Sequence, residues 1–169
     1  LQETIDDTSD VPEDSFSALY EFIGNRSETN LTLDKDYVFY PDYDANFSEG
    51  IVINDTVLID GNGHRIDGAN QARIFNITGN GVTLKNIILV NGYAANGSAI
   101  YSTGDSGKIF NSVILNNTGS LIYSESMFDA NNNWWGNTNA TFDAAPDVSD
   151  KVDANYWLFL TVTVNDTVV

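Results

Sequence analysis

What most constrains this chain is the brevity and the regular recurrence of its apolar runs. From residue 31 onward, short β-branched and aliphatic segments alternate with Gly, Asn and Asp turns. The first are Leu31-Thr32-Leu33, Ile51-Val52-Ile53 and Val57-Leu58-Ile59. They continue through Ile74-Phe75-Asn76-Ile77, Val82-Thr83-Leu84, Ile87 to Val90, Ala99-Ile100-Tyr101, Ile109-Phe110, Val113-Ile114-Leu115 and Leu121-Ile122-Tyr123. Each is too short for an ordinary hairpin meander. Recurrence at roughly 20–25 residues marks a repeat architecture, in which one turn of chain buries its apolar face only against the next.

Setting Val82–Asn91 over Lys108–Asn117 predicts the stacking. Apolar meets apolar at Leu84 and Phe110, Ile87 and Val113, and Leu89 and Leu115. Asn86 meets Ser112, and Asn91 meets Asn117. Val57–Gly61 fits above this frame and Phe128–Ala130 below it, so the Asp60 column continues as Lys85, Asn111 and Asp129. The expected fold is all-β, a short right-handed parallel β-helix of about five coils, 31–50, 51–73, 74–98, 99–120 and 121–143. Coils about 4.8 Å apart make a rod roughly 24 Å long, with asparagines at its corners passing hydrogen bonds from coil to coil.

The flanks follow other rules. Residues 1–14 form an acidic lead-in without periodicity. In residues 15–24, Ser15 is a helix N-cap, Phe16, Leu19, Tyr20 and Ile23 follow at i, i+3, i+4 and i+7, and Gly24 is a stop. A helix this short is unstable alone, so it is predicted to cap the open N-terminal end of the β-helix. The β-helix itself spans residues 25–143, and residues 144–169 are a C-terminal linker and strand. That strand, with Trp157, Leu158, Phe159, Leu160, Val162 and Val164, is the most hydrophobic in the chain. It has three expected fates: lying back along its own rod, opening a further domain, or adding to a second copy as an assembly strand.

Charge and composition exclude whole classes of function. The formal net charge is −17, from 24 acids against 7 bases. That balance argues against nucleic acid, whose phosphates need clustered Lys and Arg, and against an anionic membrane surface. No run of about 18 apolar residues exists, so no membrane insertion is expected. There are no cysteines and a single histidine, which excludes disulfides and the usual thiolate or multi-histidine metal sites. No cofactor and no metal are expected. The acidic turns at Asp34, Asp36, Asp42, Asp44 and Asp60 match no EF-hand or calcium repeat and are read as solvated loops.

N-glycosylation sequons stand at Asn25, Asn30, Asn46, Asn54, Asn76, Asn96, Asn116, Asn139 and Asn165. An Asn- and Thr-rich composition explains many of them, but their density suits an extracellular chain. The first residues do not form a signal peptide, so secretion implies a leader already removed. Those at coil turns, such as Asn76, Asn96 and Asn116, are expected to be the more accessible.

The order of motifs then carries a resemblance. A short helix precedes Ile59-Asp60-Gly61-Asn62-Gly63-His64-Arg65-Ile66-Asp67-Gly68, then come Arg73-Ile74-Phe75-Asn76-Ile77 and Asn133-Trp134-Trp135-Gly136, and last Trp157-Leu158-Phe159-Leu160-Thr161-Val162. Over about residues 15–165 this resembles the adhesin-like parallel β-helix surface proteins of methanogenic archaea. The resemblance implies a surface-anchored extracellular protein, usually with many more coils and followed by immunoglobulin-like domains. This chain departs in showing only about five coils and no anchor.

The implied role is a secreted, N-glycosylated, non-catalytic adhesin-like or structural module, with copies of itself or cell-surface glycans as partners. The alternatives are a subunit of an extracellular filament and a polysaccharide lyase or hydrolase. For catalysis, His64 would have to pair with Asp60 or Asp67, but no nucleophile accompanies it, and it is read as a turn residue. An inverting hydrolase needs two carboxyls facing one groove, and the Asp60 column offers no acid on its neighbouring coil. Trp134 and Trp135 are read as closing the last coil. Phe75, Tyr101 and Tyr123 fall at similar places on successive coils. They are a stripe for a glycan or partner if they point outward, and core if they point inward.

Overall fold

The computed structural model describes residues 11–136 and 146–158. Its strands are short, and every strand pairing in its three sheets is parallel. The first coil runs through β1 (Asn30–Thr32), β2 (Tyr37–Val38) and β3 (Ile51–Ile53), and the second through β4 (Leu58–Asp60), β5 (Arg65–Asp67) and β6 (Phe75–Ile77). The third holds β7 (Thr83–Lys85), β8 (Ile88–Val90) and β9 (Ile100–Ser102), and the fourth β10 (Gly107–Phe110), β11 (Val113–Leu115) and β12 (Ile122–Ser124). β13 (Phe128–Asp129) and β14 (Val152–Asp153) follow. One sheet is ordered β1-β4-β7-β10-β13-β14, the second β2-β5-β8-β11 and the third β3-β6-β9-β12. Each coil donates one strand to each sheet, which is a β-solenoid of about five coils, a parallel β-helix.

The stack runs on past residue 143, where the sequence reading ended it. Trp134 bridges to Val113 and Val148 to Ile122, completing a fifth coil. β14 pairs with β13 and Trp157 bridges to Asn133, which begins a sixth. The described segment 146–158 therefore belongs to the rod.

The register differs from the expected one by a single residue. Lys108 lies beside Thr83, Ile109 beside Leu84 and Phe110 beside Lys85. Val113 lies beside Ile88, Ile114 beside Leu89 and Leu115 beside Val90. Unbroken apolar runs such as Ile87 to Val90 match in either register, and a one-residue slip turns every side chain to the other face. Ile109 and Ile114 are therefore core, while Phe110 and Leu115 point outward and are half-buried. The Asp60 column passes to Lys85 and Phe110, and Asp129 stands in the neighbouring column beside Lys108.

Inside, the columns are Ile59-Leu84-Ile109, Ile66-Leu89-Ile114 and Ile51-Phe75-Ile100-Ile122, all buried. Full burial of each such side chain contributes about 1.5–3 kcal/mol. At Gly107 a Cβ would come within 2.5 Å of the Phe128 ring, so the missing side chain makes room for the aromatic on the next coil.

At the corners the chain turns through left-handed residues, which asparagine tolerates better than most. Asn86 and Asn111 have φ of 49° and 51°, and Asn91 and Asn116 have φ of 54° and 57°. The asparagines do pass hydrogen bonds between coils. Asn86 Nδ2 donates to Asp60 Oδ1 at 3.2 Å and Asn91 Nδ2 to Asp67 Oδ1 at 2.9 Å. A buried ladder runs beside them: Ile87 N donates to Ser112 Oγ, and Ser112 N to Asn133 Oδ1.

Helix α1 (Phe16–Gly24) closes the N-terminal end. Ser15 caps it, its Oγ accepting from Ala18 N at 3.0 Å. Phe16, Leu19 and Ile23 are buried against the first coil, while Tyr20 leans out beside Phe47 at 5.2 Å. Asp44, read from sequence as a solvated turn acid, is instead buried under the helix N-terminus. Its carboxylate accepts from Phe16 N at 3.0 Å, Ser17 N at 2.8 Å, Ser17 Oγ at 2.6 Å and Tyr40 N at 2.9 Å. A negative group there satisfies helix N–H groups that have no intrahelical partner.

Candidate functional site

The outward face of the third sheet holds the aromatic pair. Phe75 is not part of it, because Phe75 stands in register with Ile51 and Ile100 and is wholly buried. The outward column is Val52, Asn76, Tyr101 and Tyr123. Tyr101 and Tyr123 stack at 5.1 Å with 9° between their planes, and the Arg73 guanidinium lies 5.0 Å from the Tyr101 ring centre. A sugar stacks on an open ring face, but Tyr101 is engaged by Arg73 and by Tyr123. Burial and the nearby Glu125 carboxylate raise the Tyr101 phenol above its ordinary value, and its hydroxyl donates to Glu125 Oε1 at 3.3 Å. The group reads as a clasp across three coils.

His64 pairs with neither Asp60 nor Asp67. Its Nδ1 lies 3.1 Å from Asp36 Oδ1, which also accepts from Arg65 N at 2.9 Å. That backbone bond, with the imidazole beside it, holds Asp36 below the usual carboxylate range. The imidazole thus ties the second coil to the first.

The carboxylates are similarly engaged. Asp60 meets Lys85 Nζ at 2.9 Å and accepts from Asn62 N and Asn86 Nδ2, and Lys85 chiefly holds its carboxyl below the usual range. One acid pair on adjacent coils escaped the sequence reading, Asp129 beside Asp153. The expected coils end at residue 143, so Asp153 was placed on none of them. Each accepts from the backbone N–H and side-chain amide of the asparagine two residues on, Asn131 and Asn155. Asp153 is held below the usual range by the Asn131 amide and then by Asn155. A general acid needs its pKa raised toward the working pH, and Asp153 is shifted the other way.

Trp134 extends the second sheet and Trp135 packs on the core, and the stack continues beyond them through β14 and Trp157. Both indole N–H groups are buried with no acceptor among the described residues. In the C-terminal strand, Trp157 and Leu158 lie against the fifth coil, Leu158 N donating to Asn133 O at 2.8 Å. Phe159, Leu160, Val162 and Val164 fall outside the described residues.

The described sequons lie on the surface. Asn25, Asn30, Asn46, Asn54, Asn96 and Asn116 are exposed, and Asn76 is half-buried. Asn76 sits in the middle of β6 rather than at a turn, which corrects its expected placement. Asn139 and Asn165 lie outside the described residues. No family model, no curated protein and no solved structure matches the chain.

Proposed function

We propose that this chain is a non-catalytic, secreted and N-glycosylated structural module of a cell surface, adhesin-like in kind. The observation that carries the reading is the exposure of the sequons. Six of the asparagines are exposed on the rod, spread from the helix end to the fourth coil. A rod whose corners already contain asparagine accepts a glycan without disturbing its core, since Asn116 turns the chain and still faces water. The acidic charge of −17 keeps such a surface hydrated. The polar side chains that offered chemistry are spent between coils: His64 on Asp36, Asp60 on Lys85, Tyr101 on Tyr123 and Arg73. Their pairing favours a scaffold over a hydrolase or lyase.

Site-resolved mass spectrometry of the protein from its native source tests this. The expected result is a mass above the 18.5 kDa polypeptide and glycan at Asn96 and Asn116. Unmodified peptide at every sequon removes the glycoprotein reading. Release of unsaturated uronate or reducing sugar from acidic glycans, abolished by Asp60→Asn, replaces it with an enzyme.

A further inference from the structure

Exposed large apolar side chains are not spread evenly over the rod. Val11 and Tyr20 stand before and on the helix, Tyr43 on the first coil, and Met127, Tyr156 and Leu158 on the last coils. Among the described residues Val52 and Tyr93 stand on the long flank, Val52 in the outward column of the third sheet. Tyr156 is 72 % and Leu158 47 % exposed.

The ends also carry unfinished sheet. Among the described residues β1 pairs with β4 alone and β14 with β13 alone, and these are the two edges of one six-stranded parallel sheet. Such edges are templates for a further strand. Helix α1 contacts β2 and β3. Beside β1 it leaves a groove of about 570 Å³, with apolar walls from Ala18, Phe22 and Leu31.

We propose that copies of this chain join end to end, the C-terminal end of one rod seating in the groove along β1 of the next. This rests on the reading of the chain as a structural module and names its partner as a second copy. Continuing the sheet in register places Ala154 beside Leu31, extending the inward column Leu31-Ile59-Leu84-Ile109-Ala130-Ala154. It places Asp153 beside the uncharged Asn30, not beside an acid. The two contact surfaces differ, so the join is heterologous and repeats into a filament.

Asn25 and Asn30 also line the groove, so the test uses the full chain produced without glycans. Sedimentation across concentration and electron microscopy should show growing linear oligomers. Phe22→Glu at one end and Leu158→Glu at the other should each leave a folded monomer, judged by circular dichroism. Each variant keeps one intact end, so mixing them should give a one-to-one dimer and nothing longer. In native assembled protein, Asn25 and Asn30 should be unmodified while Asn96 and Asn116 carry sugar. A wild-type chain that stays monomeric up to roughly 1 mM, or variants that polymerise unchanged, overturns end-to-end joining. So does full glycan occupancy at Asn25 and Asn30. A folded monomer with glycans at the other sequons leaves the structural-module reading standing.

Discussion

The two ends of the rod are built differently. At the N-terminal end a helix outside the repeat lies over the first coil, buries Phe16, Leu19 and Ile23, and is tied down by Asp44. At the C-terminal end the repeat simply continues, through β14 and the Trp157 bridge, and leaves Tyr156 and Leu158 exposed. A stacked coil carries no instruction to stop, because each coil meets only its neighbours. Termination at the N-terminal end is encoded by residues that do not repeat, and the described C-terminal end lacks a counterpart to that helix.

The largest effect belongs to neither end. Leu84→Asp puts an unpaired charge in the central column, at a cost of several kcal/mol. It should abolish the cooperative thermal transition seen by circular dichroism. A native-like melt would mean that the columns do not hold the rod together.

Next comes the N-terminal cap. Asp44→Ala strips acceptors from three backbone N–H groups and a hydroxyl and should cost about 3 kcal/mol. Hydrogen exchange should show α1 losing protection while β7 to β12 keep theirs. Equal loss throughout would show that cap and coils unfold as one unit.

Acid should act on the ties between coils. Asp60 and Asp36 are held below the ordinary carboxylate value. A depressed folded pKa contributes stability that is present above the unfolded value and lost as pH falls through the folded one. Urea midpoints should therefore fall between about pH 5 and pH 2, and Asp60→Asn should flatten part of that fall. An Asp60→Asn midpoint that tracks wild type would mean that the Lys85 contact contributes nothing in solution.

The smallest effect is expected at the C-terminal end. Leu158→Ser alters an exposed side chain and should move stability by no more than about 0.5 kcal/mol. A loss as large as that of Asp44→Ala would show that the two ends are closed equally firmly.

Much of this was legible in the residues. Ser15, the i, i+3, i+4, i+7 apolar set and Gly24 announced the helix, and short runs separated by Asn and Gly announced the coils. Other features carried no local mark. Asp44 lies among similar acids at Asp34, Asp36 and Asp42, and its main partner is 28 residues away. His64 finds Asp36 across the same separation of 28. Asp129 and Asp153 looked unrelated because the expected coils end at residue 143.

The sequence by itself determined the period, the parallel stacking and the helical end, because turn chemistry and apolar spacing act over a few neighbouring residues. Only the tertiary structure decided which face each side chain takes. Phe75 and Tyr101 sit in runs that fit either orientation, and the choice is made one coil away, by Ile51 and Ile100 packing on Phe75 and by Arg73 and Tyr123 flanking Tyr101. Contacts that span a full coil select between registers whose local propensities are nearly equal.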